Sequence, residues 1–208
     1  EGDGMSIANH NELQTAVAEW LHRDGLSSRA PDFIQQGEAW LNRKLRTMDM
    51  EERYAFNMGV VDRFQTLPTG YLELQSLYYT NPHEEITFVE PSRMTALING
   101  SSKPEWFTIK DGIEFDCIPS DTYACEMHYF KAMDIAGDTT NWLLTNHPDV
   151  YLYASLAAAS VYVVDDARIP TIKALLNEYV QDLNDLSARK RGSQMVEMRT
   201  EFNQSGFN

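Results

Sequence analysis

The chain has 208 residues, 31 acidic against 17 basic, and a formal charge of −14. That charge excludes a tight grip on DNA or anionic lipid, whose phosphates need clustered Lys and Arg, although an acidic wall suits DNA that slides past without sticking. Apolar residues at 43% and charged residues at 23% describe a chain that buries a core, as one domain or as a body with one insertion.

The opening "EGDGMSIANHN" has neither the basic flank nor the apolar run of a secretory signal, so an intracellular protein is expected. In "NELQTAVAEWLHRD", Leu13, Val17, Trp20 and Leu21 recur at helical spacing and mark one buried stripe. Asn11 is the candidate N-cap, and Gly25 suits the left-handed position past the end. A second helix reads from "APDFIQQGEAWLNRKLR". Pro31 and Asp32 belong in its first turn, and Phe33, Gly37, Trp40, Leu41 and Leu45 form its buried face. Gly37 costs about 1 kcal/mol against Ala inside a helix, so the position should admit a close neighbour. Arg43, Lys44 and Arg46 suit the negative end of the helix dipole.

From about 51 to 135 the texture changes to short β-branched and aromatic runs separated by turn residues, among them Pro68-Thr69-Gly70, Asn81-Pro82, Asn99-Gly100 and Asp111-Gly112. Lys110-Asp111-Gly112-Ile113 predicts a hairpin in which Asp-Gly takes positive φ. His83-Glu84-Glu85 reads as a polar turn, and "SRMTALI" behind Pro91 as a short helix. Cys117 and Cys125 flank a turn, within disulfide reach in one hairpin register, but are expected to be two reduced core thiols.

After residue 137 the helical period returns. From Val150 to Val164 only Ser155 and Ser160 are not apolar, behind Pro148 at the helix start. The run is shorter than the roughly 20 residues a bilayer requires. A helix apolar on every side belongs in the middle of a bundle, and Ala154 and Ala157–Ala159 would let neighbours come close. Asp165-Asp166 closes this helix or opens the next, whose stripe is Ile169, Ile172, Leu175, Leu176, Tyr179, Val180, Leu183 and Leu186. The expected fold is therefore α+β. A discontinuous helical bundle (9–48 with 138–191) carries an inserted β-rich domain (49–137) and a C-terminal arm (192–208) of weak periodicity. In that arm Met195, Val196, Met198, Phe202 and Phe207 are apolar enough to suggest ordering on a partner.

No phosphate-binding loop, dinucleotide fingerprint, H-E-x-x-H or G-x-S-x-G is present. His10, His22, His83, His128 and His147 have no metal spacing, so no catalytic residue, metal or cofactor is expected. The alternative is a glycan hydrolase using Glu114, Asp116 or Glu126. Alternation with Ile113, Phe115 and Cys117 makes those acids look like the solvated side of a sheet.

"ELQTAVAEWLHRDGL…APDFIQQGEAWLNRKLR", "LPTGYLELQSLYY" and above all "TNWLLTNHPDVYLYASLAAASVYVVDD" resemble head-to-tail adaptors of short-tailed bacteriophages, of the tail-tubular protein A type, over residues 11 to 188. The resemblance implies a helical bundle with a β-rich domain and a dodecameric ring. That ring would sit beneath the portal protein, extend the DNA channel, and receive the tail nozzle protein and in some phages tail fibres. It implies a virion location after synthesis in the host cytoplasm, and no catalytic residue. The C-terminal arm becomes the portal-docking candidate.

Overall fold

The computed structural model describes residues 7–21, 27–160, 162 and 167–204, with side chains through 192. In chain order, α1 (His10–Leu21) and α2 (Ala30–Lys44) precede β1 (Glu51–Met58), β2 (Phe64–Gln65), β3 (Tyr71–Thr80), β4 (His83–Glu85) and β5 (Thr87–Phe88). Next come α3 (Pro91–Leu97), β6 (Ser101–Ser102), β7 (Trp106–Ile109), β8 (Ile113–Phe115), β9 (Ile118–Pro119) and β10 (Tyr123–Lys131). The chain closes with α4 (Ile135–Asp138), α5 (Trp142–Asn146), α6 (Pro148–Ala159) and α7 (Ile169–Gln204). Two compact units result, one from Glu1–Asp49 with Met133–Asn208 and the other from Met50–Ala132. The fold is α+β, as the alternation of textures along the sequence predicts.

In the helical unit α6 packs against α1, α2, α5 and α7, so helices from both ends of the chain surround it. Val150, Tyr151, Leu152, Ala154, Ser155, Leu156 and Ala159 are buried, which covers its circumference. Ser155 is tolerated there because its hydroxyl donates back to the Tyr151 carbonyl at 2.8 Å. The tightest crossing is with α2. A Cβ on Gly37 would stand 2.8 Å from the Ala154 carbonyl carbon and 2.9 Å from the Ser155 nitrogen. Glycine and alanine at this crossing set how closely α2 and α6 approach. Val161 and Asp165-Asp166 lie outside the described residues, as does Gly25; α6 itself ends at Ala159.

Side-chain hydrogen bonds join the remaining ends. The N-cap of α1 is Asn9, not Asn11: its Oδ1 accepts from the Glu12 amide at 3.0 Å, while Glu12 reaches back to Asn9 Nδ2 and the Ala8 amide. Both asparagines have a suitable partner three residues on, Glu12 for Asn9 and Gln14 for Asn11, and it is the Asn9–Glu12 pair that closes the reciprocal box. Asn42 on α2 clamps Met133 in both directions, at 3.0 and 2.9 Å. Asn184 of α7 accepts from the Arg46 amide and donates to the Lys44 carbonyl, both at 3.0 Å, closing the C-terminal end of α2. Ser187 accepts from the Met48 amide at 2.8 Å. The stripe of α7 is buried at Ile172, Leu176, Val180 and Leu183, whereas Leu186 is exposed.

Where the sequence suggests an irregular arm after 191, the helix continues to Gln204. Gly192 does not stop it, since one glycine costs only about 1 kcal/mol and the following Met, Glu and Arg residues favour helix.

The second unit holds two four-stranded sheets, ordered β1-β10-β3-β4 and β2-β8-β7-β5, and a small β6-β9 pair. Met58, Leu77, Tyr79, Cys125, Met127 and Tyr129 of the first share one core with Phe107, Ile113 and Phe115 of the second and with Ile86, which links β4 to β5. His83-Glu84-Glu85 is a strand rather than a turn, pairing with Tyr78–Thr80 across a cis Asn81–Pro82 bend. The β7–β8 hairpin forms as expected, with Ile109 opposite Ile113, but Gly112 does not have positive φ. The position excludes a side chain for another reason: a Cβ would lie 2.9 Å from the Gln65 carbonyl oxygen. Both cysteines are free and buried.

Two glycines should respond oppositely to the same change. Gly37→Ala should destabilise the protein by about 1–3 kcal/mol through overpacking. Gly192→Ala, with nothing within 4 Å of the added Cβ, should stabilise α7 by about 0.5–1 kcal/mol. Denaturant unfolding of both variants against wild type measures the pair.

Candidate functional site

The most chemically suggestive place lies where α2, α4 and α6 meet. Glu38, 8% exposed, sits beneath a cleft of about 240 Å³ whose lining includes His10, Asp32 and Asp134. Its Oε2 accepts from the Tyr151 hydroxyl at 2.6 Å and from the Ile135 amide at 2.8 Å. Asn141 Nδ2 donates to the Tyr151 oxygen at 2.7 Å, and Asn141 Oδ1 caps α5 at the Leu144 amide. Burial raises the Glu38 pKa above its ordinary value, with the charges of Asp134 and Asp138 acting in the same direction against the two hydrogen bonds. Burial, then Glu38 itself, pushes the Tyr151 hydroxyl up as well, keeping it a donor.

A buried acid of raised pKa is the usual profile of a general acid. Here, however, its hydrogen bonds go to structure. They satisfy the amide that opens α4 and the phenol in the first turn of α6, so Glu38 ties three helices together. The sequence carries a signal for it: Glu38 stands between Ile34 and Leu41 on the apolar stripe of α2, where an acid needs a buried partner.

The carboxylates of the alternative reading do not converge. Glu126 accepts from Tyr78 and His128, with Arg53 at 3.5 Å, and the Tyr78 hydrogen bond leads the causes that lower its pKa. Glu114 pairs with Arg63 at 3.0 Å. Their strand neighbours Cys125 and Met127, and Ile113 and Phe115, all enter the shared core, so the two acids leave opposite sheets in opposite directions. Asp116 corrects the sequence reading outright. It is buried, and its Oδ1 accepts from the amides of Glu105 and Trp106, at 3.2 and 3.3 Å. The strand ends at Phe115, so the alternation that would expose Asp116 no longer applies. Cys125 is a thiol pushed up to about 12 by burial.

Among the described residues no group of His, Cys, Asp and Glu could hold a metal ion, and no helix is long and apolar enough to cross a membrane. Of the predicted partner residues, Met195, Val196, Met198 and Phe202 fall within α7, and Phe207 lies outside the described residues.

The Glu38 network sets a pH dependence. A carboxyl whose folded pKa lies above its unfolded value binds protons more readily in the folded state, so its ionisation opposes folding as pH rises through that interval. Wild type should therefore lose stability relative to Glu38→Gln as pH climbs above 4.5, the ordinary value for this group. Tyr151→Phe should cost about 1–3 kcal/mol at neutral pH, because it leaves the buried carboxylate short of a donor. Denaturant midpoints measured across a pH series read both effects.

The chain matches no curated protein at significance. The profile of a family described as SU10 adaptor protein matches residues 8–200. It agrees with the coarser part of the resemblance seen in the sequence, a phage adaptor rather than specifically a tail-tubular protein. With nearly the whole length covered, the chain belongs to the SU10 adaptor protein family and is a structural adaptor of a bacteriophage.

Proposed function

We propose that the protein is a ring-forming head-to-tail adaptor, dodecameric, that joins the portal protein to the tail nozzle protein and extends the DNA channel. Its place is then the neck of the virion, reached after synthesis in the host bacterial cytoplasm, with tail fibres as neighbours where a phage carries them there. The absence of a strongly basic character fits DNA passing through without specific binding, because a wall of net charge −14 per copy repels phosphate.

The observation that carries this reading is the length of α7. Its 36 residues span about 54 Å, and among the described side chains Arg191 still ties it to the end of α2, donating to the Arg46 carbonyl at 3.5 Å. The twelve residues from Ser193 to Gln204 continue the helix for about a further 18 Å. The 3–4 spacing of Met195, Met198 and Phe202 is that of a helix that lays one apolar face in a partner's groove. The portal is the partner this arm is assigned to.

Removing residues 193–208 should weaken binding to purified portal rings at least tenfold, about 1.4 kcal/mol, while leaving the unfolding midpoint of the bundle unchanged. Co-sedimentation with portal measures the binding. Undiminished binding would withdraw the arm from this role.

A further inference from the structure

Ala157 and Ala158 are only half-buried, although they stand near the end of the most enclosed helix. They form, with Gly37 and Trp40, the floor of an open groove of about 390 Å³ between α2, α6 and the first turns of α7. Arg43 and Lys173 stand at its rim, both exposed, and neither makes an ion pair or hydrogen bond among the described residues. The groove is a small-residue trough with two unengaged cations, on a chain whose net charge is strongly negative.

The other unit presents a feature of the opposite kind. Between β1 and β2 the chain exposes Val60 to 51% and Val61 to 86%, and Phe64, the first residue of β2, is exposed to 58%. Single exposed apolar residues are ordinary, but three within five residues form a patch that marks a contact. The turn is held in shape by Asp62, whose Oδ1 accepts from the Phe64 amide. Arg63 is neutralised locally by Glu114 at 3.0 Å and lies over the Phe64 ring at 5.1 Å. The uncompensated charge of the tip is therefore that of Asp62.

We infer that the Val60-Val61-Asp62 tip of one copy seats in the α2–α6–α7 groove of a second copy. Val60 and Val61 lie on the alanine floor, and Asp62 faces Arg43 and Lys173. Size, polarity and sign match: two short branched side chains against alanines, one carboxylate against two cations. Every copy carries both the tip and the groove, so the contact is heterologous and repeats from copy to copy, which is the geometry a closed ring demands. A tip already fixed by its own turn loses little freedom on docking. The inference names the contact between copies in the ring proposed above and rests on that reading for the choice of partner.

The test is a charge exchange in the full-length chain, read by sedimentation velocity. Asp62→Lys and the double variant Arg43→Glu/Lys173→Glu should each self-associate at least tenfold more weakly than wild type. An equimolar mixture of the two should recover wild-type assembly, because each tip then meets a groove of opposite sign. Asp62→Asn, which keeps the acceptor that shapes the turn, should weaken association on its own and flatten its dependence on salt. Variants that assemble like wild type, a mixture that fails to recover, or a wild-type chain that stays monomeric at all concentrations would each overturn the inference. Undiminished portal binding after removal of residues 193–208, with self-association intact, would count against the proposed arm alone.

Discussion

The fold depends on the crossing of α2 over α6. With no side chain at Gly37, the two backbones approach until Ala154 and Ser155 would collide with any added carbon. That proximity lets Glu38, the next residue, reach the Tyr151 hydroxyl and the Ile135 amide together. Apolar burial of α6 gathers the helices without fixing their rotation, since dispersion and hydration are non-directional. The hydrogen bonds of Glu38 and Asn141 do fix it, because an unpaired buried polar group is costly. Packing and polar pairing therefore select the same arrangement, and neither alone defines it.

That division explains which features the sequence reveals. The rod from Pro148, the close approach at Gly37 and the Lys110–Ile113 hairpin follow from period, residue size and turn chemistry, which are local properties. Asp116 was misread because alternation holds only while a strand lasts, and this one ends at Phe115. The N-cap moved from Asn11 to Asn9, since both asparagines have a suitable partner three residues on and it is the Asn9–Glu12 pair that closes the box. The reach of α7 to Gln204 was hidden by Gly192 and Ser193, which resemble a stop when weighed without the helix formers beyond them. The candidate contacts were less legible than the fold. Nothing in residues 59–64 announces exposure, since Val60 and Val61 would be equally at home in a strand.

A structural adaptor needs chemistry of a different sort from an enzyme. Its acids are engaged one by one: Glu38 with Tyr151, Glu114 with Arg63, Glu126 with Tyr78 and His128, Asp116 with backbone amides. Each of these hydrogen bonds and ion pairs fastens one segment of the fold to another. What stays unengaged among the described residues lies at the edges: the small-residue trough and the valine tip. These are the parts a molecule defined by its neighbours would keep available.

The two-way bond between Asn42 and Met133 has a consequence for how such proteins diversify. Together with the pairing of Glu51 to Phe130, it brings the incoming and outgoing strands of the β-rich unit side by side. Loop-closure entropy grows only slowly with length, so closing the chain between these two points depends little on how many residues it holds. The span from Glu51 to Phe130 can therefore gain or lose residues between its strands at little entropic cost to the closure made at Asn42 and Met133.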